Sequence, residues 1–166
     1  TLARPWVVPG TKGMEHRVGG LGKQDLTGNV SYTPEDHEEI VRTRARKVEL
    51  IADSIPEVEV SGPEQGDLLV LGWGGTYGAI RAAVEEVRSE GMEVAQAHLR
   101  YLNPFPRNLG KILGRYKQVL IPELNLGQLA LLIQGNFPVR VVKLNKVQGR
   151  PFQIREVAEK IRALLS

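Results

Sequence analysis

The chain becomes regular at Asp67-Leu68-Leu69-Val70-Leu71-Gly72-Trp73-Gly74-Gly75-Thr76, where a short apolar run leads directly into a glycine-rich turn. Four consecutive apolar residues are typical of a strand that is buried on both faces. The apolar spacing over residues 76–90 then predicts a helix. Its inward residues are expected to be Ile80, Ala83, Val84 and Val87. Strand, tight turn and helix in this order form the first half of a βαβ unit.

Three more short apolar runs follow, at residues 94–97, 119–121 and 139–142, and we interpret each as a buried strand. Helical segments are predicted after them, over residues 107–113, 127–134 and 153–165. Alternating strands and helices with short connections predict an α/β fold with right-handed crossovers. We therefore expect three layers, αβα, around a mostly parallel sheet of about five strands.

The first 60 residues have a different character. Residues 1–32 are rich in glycine and proline without a sustained period, which predicts an irregular arm. Thr33-Pro34-Glu35-Asp36 is a strong helix start, with a capping threonine, proline at the first helical position and acids in the first turn. This helix is expected to reach about Ser54. Its apolar stripe consists of Val41, Ala45, Val48, Ala52 and Ile55. The basic residues on its second half indicate either a solvated face or a contact with an acidic partner.

We therefore divide the chain into residues 1–60, an arm and linker helix leaving a preceding domain, and residues 61–166, the α/β domain. An arm without a core of its own also suggests a fragment of a longer protein. Composition fits this picture, because 42% hydrophobic and 25% charged residues suit a globular domain. The sequence has no apolar run long enough to span a membrane and no signal peptide, so we expect a cytoplasmic protein.

Cysteine is absent from the sequence, which excludes disulfides, thiolate zinc sites and cysteine-ligated iron–sulfur clusters in these 166 residues. The formal net charge is only +3, and basic residues alternate with acidic ones. Few aromatic residues are available to stack on bases. We therefore expect no nucleic-acid partner.

A glycine fingerprint for nucleotide binding would lie at the turn after residue 71. The spacing of the glycines in this turn differs from that of the fingerprint. The third glycine of that fingerprint falls at Tyr77, and no acid follows the second strand. Free amides at Gly74, Gly75 and Thr76 remain weak candidates for an anion site. The alternative is a tight turn that needs only small residues. His98, at the end of the second strand, is either a general acid or base or a structural histidine.

Two loops are candidates for a subunit interface. Asn103-Pro104-Phe105-Pro106 is stiffened by two prolines, so it loses little conformational entropy on binding. In the second loop, acidic and amide side chains precede a helix, where they can cap backbone amides or reach a neighbouring subunit. Direct contact with a substrate or coenzyme is a third alternative. The interface candidates are Asn103, Pro104, Phe105, Arg107, Glu123, Asn125 and Gln128.

An ordered set of segments along the chain resembles one enzyme family. The segments are Glu15-His16, Asn29-Val30-Ser31-Tyr32, Arg44-Ala45-Arg46-Lys47, Gly72-Trp73-Gly74-Gly75-Thr76, Asn103-Pro104-Phe105-Pro106, Glu123-Leu124-Asn125-Leu126-Gly127-Gln128-Leu129 and Lys146-Val147-Gln148-Gly149-Arg150-Pro151-Phe152. Together they resemble the carboxyl-terminal part of the alpha subunit of 2-oxoacid:ferredoxin (or other acceptor) oxidoreductases, of the 2-oxoglutarate type. The resemblance implies a fold like the transketolase carboxyl-terminal domain, with an antiparallel edge strand at residues 57–60 or in the arm.

The resemblance also implies a function. Such enzymes decarboxylate a 2-oxoacid oxidatively with coenzyme A and pass electrons to ferredoxin, using thiamine diphosphate, magnesium and an iron–sulfur cluster. By this resemblance the cofactors lie in other domains and in a beta subunit, and this chain binds none of them. It is then a structural and assembly domain, inactive alone, whose partners are the beta subunit and other domains of an oligomer. A free-standing Rossmann-like nucleotide- or anion-binding domain is the alternative.

Overall fold

The structure is a computed structural model that describes residues 2–3 and 6–166. Thr1, Arg4 and Pro5, which belong to the predicted arm, lie outside the described residues. The chain forms two compact units, Thr1–Ser54 and Ile55–Ser166. Residues 55–60 belong to the second unit, because Val58 is buried in its core and Val60 pairs with Ala97.

The unit Ile55–Ser166 is built on a five-stranded sheet. Its strands are β1 (Val60–Ser61), β2 (Gly66–Trp73), β3 (Ala95–Leu99), β4 (Tyr116–Glu123) and β5 (Val141–Asn145). The spatial order is β1-β3-β2-β4-β5, with four parallel strands and an antiparallel β1 at one edge. An antiparallel edge strand is thus present as expected, and it lies at Val60–Ser61, at the end of the expected segment 57–60, rather than in the arm.

Four helices follow the predicted positions in this unit. They are α2 (Tyr77–Ser89), α3 (Leu109–Leu113), α4 (Gln128–Asn136) and α5 (Ile154–Leu165), and α1 (Pro34–Leu50) precedes them in the other unit. Alternate residues of the strands divide the core into two layers. Leu69 and Leu71 pack with α3 and α4, whereas Leu68 and Val70 pack with α2 and α5. The predicted three-layer αβα architecture is confirmed, as are the four inward residues of α2.

Two strands differ from the expectation of continuously apolar runs. β5 is only half-buried, because it has a neighbour on one side alone. In β3 the alternation Ala95-Gln96-Ala97-His98-Leu99 places three apolar residues toward α3 and α4 and two polar residues on the opposite face. The apolar interpretation of residues 94–97 was therefore wrong at Gln96. That opposite face of β3 carries polar side chains instead of core.

The unit Thr1–Ser54 contains turns, an isolated bridge between Lys23 and Val30, and helix α1. Thr33 caps the helix as predicted, since its hydroxyl accepts a hydrogen bond from the Asp36 amide. A short 3₁₀ turn, Ile51–Asp53, extends it to the expected end. Most of the predicted stripe is not buried: no residue of Pro34–Leu50 is buried, and Val41 and Val48 are exposed. Ala52, in the 3₁₀ turn, is the stripe residue that is buried.

The substitution Gly72→Ala tests how closely β2 packs against α2. A methyl group at this position would lie 2.6 Å from Ile80 Cδ1 and 3.1 Å from His98 Nδ1. We expect Gly72→Ala to lower the free energy of unfolding by about 1–3 kcal/mol, because overpacking forces side chains out of their rotamers. Gly66→Ala is the matched control in the same strand, where no atom lies within 4 Å of the added group. Chemical denaturation measures both variants, and equal stability would contradict the packing.

Candidate functional site at the carboxyl-terminal edge of the sheet

The last residue of β4, Glu123, is a completely buried carboxylate. Its Oε1 accepts hydrogen bonds from the Leu129 amide at 2.8 Å and from Trp73 Nε1 at 3.2 Å. Its Oε2 accepts one from the Ala130 amide at 3.0 Å. Free amides at a helix start carry partial positive charge, so the carboxylate lies where α4 stabilises it best. Glu123 therefore joins β2, β4 and α4 at one point.

The hydrogen bond between Trp73 and Glu123 crosses the point where the strand order reverses. The chain passes from β2 to β3 on one side and then returns to β4 on the other side of β2. Open α/β sheets usually bind ligands in the crevice at this position. Here the indole of Trp73, which packs against the α3–α4 core layer, bonds to the buried carboxylate. The protein's own side chains thus occupy the crevice.

The glycine-rich turn after Trp73 is also closed by internal contacts. The Thr76 hydroxyl donates to the Trp73 carbonyl at 2.8 Å and accepts from the Trp73 amide at 3.3 Å, and Thr76 is buried. Gly74 has φ +57, a conformation that L side chains rarely adopt. These contacts form a tight strand-to-helix turn. An anion site at Gly74, Gly75 and Thr76 stays a prediction, and the Thr76 hydroxyl is already engaged.

The loop from β4 to α4 is braced by its amide side chain. Asn125 Oδ1 accepts from the Gly127 amide at 2.7 Å and the Gln128 amide at 3.0 Å, and its Nδ2 donates to Glu123 at 3.1 Å. Glu123 and Asn125 thus have the internal capping contacts that the sequence left open as an alternative. Since Glu123 is wholly buried, a subunit interface at this loop would be formed by its exposed neighbours.

The proline-rich loop after β3 is held against the domain by two of its residues, Phe105 and Pro106. Its Asn103–Pro104 peptide bond is cis, Pro106 is buried, and the Phe105 ring lies 5.7 Å from that of Phe137. Asn103 and Arg107 are exposed. Phe105 is therefore a partly buried anchor, and the polar residues on either side of it form the accessible surface.

Exposed leucines surround the braced β4–α4 loop. Leu126 is 82% exposed at the loop tip and Leu131 is 68% exposed on α4. Leu124 and Leu132 are also exposed. Helix α4 contains no charged residue, and its other face is buried through Leu129, Ala130 and Ile133. A helix that is apolar on most of its circumference is typical of one that is covered on several sides.

His98 lies at the end of β3, with its ring edge-on to Tyr77 at a centroid distance of 5.0 Å. Its Nδ1 is buried and has no hydrogen-bond partner in the described part of the chain. Burial and, to a smaller degree, the positive charge of Arg100 lower the pKa of His98 below its usual 6.5, while the Gly74 backbone raises it. The folded state therefore favours the neutral imidazole.

Across residues 2–3 and 6–166, no three histidine, aspartate or glutamate side chains are placed to hold a metal ion. Among the same residues, no helix is both long and apolar enough to cross a membrane.

Comparison with known proteins identifies the family. Residues 66–157 match the family model of the pyruvate:ferredoxin oxidoreductase core domain II. Over all of its length the chain is 47% identical to the 2-oxoglutarate oxidoreductase subunit KorA of Mycobacterium tuberculosis, of which it covers 25%. The chain belongs to the alpha-subunit family of the 2-oxoacid:ferredoxin oxidoreductases. These matches do not favour the alternative of a free-standing nucleotide-binding domain.

Other relatives agree with this assignment. The alpha subunit of the 2-oxoacid:ferredoxin oxidoreductase 2 of Aeropyrum pernix is 31% identical over 92% of the chain, which covers 24% of it. The solved 2-oxoglutarate:ferredoxin oxidoreductase from Magnetococcus marinus, with 2-oxoglutarate, coenzyme A and succinyl-CoA bound, aligns with a TM-score of 0.90. The alignment covers 99% of this chain and 29% of that one at 27% identity. The chain spans about a quarter of the curated relatives it matches.

A more distant likeness concerns the fold alone. A split-gene transketolase aligns with a TM-score of 0.50 and 20% identity, over 64% of this chain and 41% of that one. It agrees with the transketolase-like fold that the sequence resemblance implied.

The sequence did not single out two residues, Trp73 at this edge and Gln96 near the start of β3. Trp73 was noted only as part of the glycine-rich motif, although its indole joins β2 to Glu123. No local pattern predicts that contact, because the two residues are 50 positions apart. Gln96 lies within residues 94–97, which we interpreted as an apolar run. Its place between Ala95 and Ala97 gives the alternation of a strand with one polar face, and this alternation is the signal in the sequence that identifies it.

Glu123→Gln tests how much the hydrogen bonds of the buried carboxylate stabilise the fold. The amide would present a donor to backbone amides that need an acceptor, and it would remove the charge that α4 stabilises. We expect a loss of about 1–3 kcal/mol in the free energy of unfolding, measured by urea denaturation. Glu159→Gln is the control, because Glu159 is exposed on α5. A Glu123 variant as stable as this control would show that the buried hydrogen bonds contribute nothing.

His98 predicts a pH dependence of stability. Since the folded state lowers its pKa below 6.5, the unfolded chain takes up this proton more readily. The contribution is fully present above pH 6.5 and is lost as the pH falls through the lower folded value. We expect the melting temperature of His98→Gln to change less between pH 7 and pH 5 than that of the wild type. His37→Gln is the control, because His37 is exposed. Parallel profiles for the wild type and the His98 variant would contradict this.

Proposed function

We propose that this chain is a structural and assembly domain in the alpha subunit of a thiamine-diphosphate-dependent 2-oxoacid:ferredoxin oxidoreductase. The parent enzyme decarboxylates its 2-oxoacid to an acyl-coenzyme A and passes the electrons to ferredoxin. In this proposal the domain packs against the beta subunit and neighbouring domains. It performs no chemical step on its own.

The observation that carries the proposal is the internally filled carboxyl-terminal edge of the sheet. Trp73 and Glu123 occupy the usual ligand position, and Asn125 bonds to the amides of its own loop. A rigid loop that presents exposed Leu124 and Leu126 is suited to protein contact. Preformed surfaces lose little entropy on association.

The substrate class follows from the relatives. KorA of Mycobacterium tuberculosis is named as a 2-oxoglutarate oxidoreductase subunit, and the enzyme from Magnetococcus marinus contains 2-oxoglutarate and succinyl-CoA. We infer 2-oxoglutarate as the substrate of the parent enzyme. In this proposal thiamine diphosphate, magnesium and the iron–sulfur cluster are held by other domains. Two observations support it for the metals: the sequence has no cysteine, and no three histidine, aspartate or glutamate side chains among the described residues are placed to hold a metal ion.

Leu126→Asp tests the assembly role. Leu126 is mostly exposed, so the fold should keep its melting temperature, whereas a carboxylate in an apolar contact would be left without partners. In the full alpha subunit co-expressed with its beta subunit, we expect at least a tenfold weaker association, measured by analytical ultracentrifugation. Glu93→Ser, at the opposite edge just before β3, is the control.

Two results would contradict the proposal. Unchanged association for Leu126→Asp would remove the leucine loop as an interface. Turnover of 2-oxoglutarate by the 166-residue chain alone would show that the domain is itself an enzyme.

A further inference from the structure

Positive charge is concentrated in one stretch of this sequence. Between Glu123 and Glu156 there is no acidic residue, although the formal net charge of the whole chain is only +3. The same stretch contains five basic residues, Arg140, Lys143, Lys146, Arg150 and Arg155. It includes β5 and the loops that precede α4 and α5, so much of this charge lies near the carboxyl-terminal edge of the sheet.

The loops that follow β4 and β5 lie side by side at this edge. The Lys146 amide donates to the Glu123 carbonyl at 2.9 Å, which joins the start of one loop to the start of the other. A Cβ added at Gly127 would lie 3.4 Å from Lys143 Cδ. The aliphatic part of Lys143 therefore lies directly beside the loop that carries Leu126.

The two acidic residues that bound the stretch are both engaged within the domain. Glu123 is completely buried. The carboxylate of Glu156 accepts hydrogen bonds from Lys146 Nζ at 2.7 and 2.9 Å. Lys146 Nζ also donates to the Pro151 carbonyl at 3.0 Å, so its charge is used internally and it closes the loop of residues 147–150 on a fixed base.

Two cations at this edge remain available. Lys143 and Arg150 are exposed, and neither forms a hydrogen bond or an ion pair with any residue that the structure describes. Between and beside them lie three exposed apolar side chains, of which Leu126 is 82%, Val147 63% and Leu124 40% exposed. We name these five residues the basic apolar surface. Protein interfaces commonly have this composition, with an apolar centre and a polar rim.

The charge of this surface limits what can cover it. A partner that buried Lys143 or Arg150 without an opposite charge would leave a desolvated cation, which is costly. A partner with carboxylates at its rim would instead pair with both cations while its apolar side chains cover the leucines. An anionic lipid surface fits less well, because lipid recognition uses clusters of about four to eight basic residues.

We propose that the basic apolar surface docks on an acidic, apolar patch of protein that lies outside these 166 residues. This inference rests on the proposed assembly function and specifies the chemistry of the partner. Complementary charges at the rim of an interface fix its orientation and disfavour wrong partners. Lys143 and Arg150 are thus recognition residues, whereas Lys146 stabilises the loop between them.

Chemical footprinting tests whether the surface is covered. In the assembled enzyme, formed by the full alpha subunit and its beta subunit, phenylglyoxal should modify Arg150 at least fivefold more slowly than in the 166-residue chain. Arg140 is the internal control, because it is exposed just before β5 at the opposite edge of the sheet and should react equally in both. An equal rate for Arg150 in the two samples would overturn the proposal.

Zero-length crosslinking tests whether the partner is acidic. A water-soluble carbodiimide joins an amine directly to a carboxylate, so in the assembled enzyme Lys143 should couple to an aspartate or glutamate outside these 166 residues. Lys143→Arg is the matched control, because it keeps the charge but lacks the amine, and the product should disappear. No product, or products only with carboxylates of these 166 residues, would overturn the proposal. The assembly function would then still stand if Leu126→Asp weakens association, since that variant tests it independently.

Discussion

A carboxylate with no exposed surface, accepting hydrogen bonds from Trp73, Asn125, Leu129 and Ala130, holds the carboxyl-terminal edge of the sheet together. An isolated carboxylate is very costly to bury, so this one depends on the hydrogen bonds that it accepts. The start of α4 compensates it with two backbone amides and with its positive end. Because Glu123 ends β4 while Trp73 ends β2, the central strands and α4 cannot shift relative to each other without breaking these bonds.

The hydrogen bonds of Glu123 lie at the position where folds of this kind usually bind a ligand. In open α/β sheets the reversal point of the strand order leaves a crevice for a ligand. Here an indole and a carboxylate fill it, and the nearby glycine-rich turn engages its own threonine hydroxyl. A filled crevice beside exposed leucines supports the proposal that this edge contacts other protein. The chain covers about a quarter of the relatives it matches.

The two faces of the sheet are unequal for a simple geometric reason. Helices α3 and α4 cover the face on which β3 presents Ala95, Ala97 and Leu99. Helices α2 and α5 are linked by Arg162, which bonds to Glu86 and Glu90, and they lie over the other strands. Because α2 and α5 lie over β2, β4 and β5, a groove remains open beside β1 and this face of β3. The polar residues Gln96 and His98 lie on this face and belong to neither core layer.

The local pattern of the sequence determined the elements of this protein. The apolar run before Gly72, the inward stripe of α2 and the Thr33-Pro34 helix start each depend on residues within a few positions of one another, and all three have the predicted structure. The ordered motifs also determined the family, because such a set keeps its spacing only in related chains. At β3 the pattern was present but misread, since Gln96 interrupts the apolar run.

Only the tertiary structure decided how the candidate site is arranged. The contact of Trp73 with Glu123 and that of Asn108 with Val58 each join residues 50 positions apart, and no short-range pattern encodes such distances. The same holds for exposure: the stripe of α1 has the spacing of a buried face, yet Val41 and Val48 remain exposed. Periodicity fixes which side chains share a face. What covers that face depends on the packing of elements that are distant in sequence.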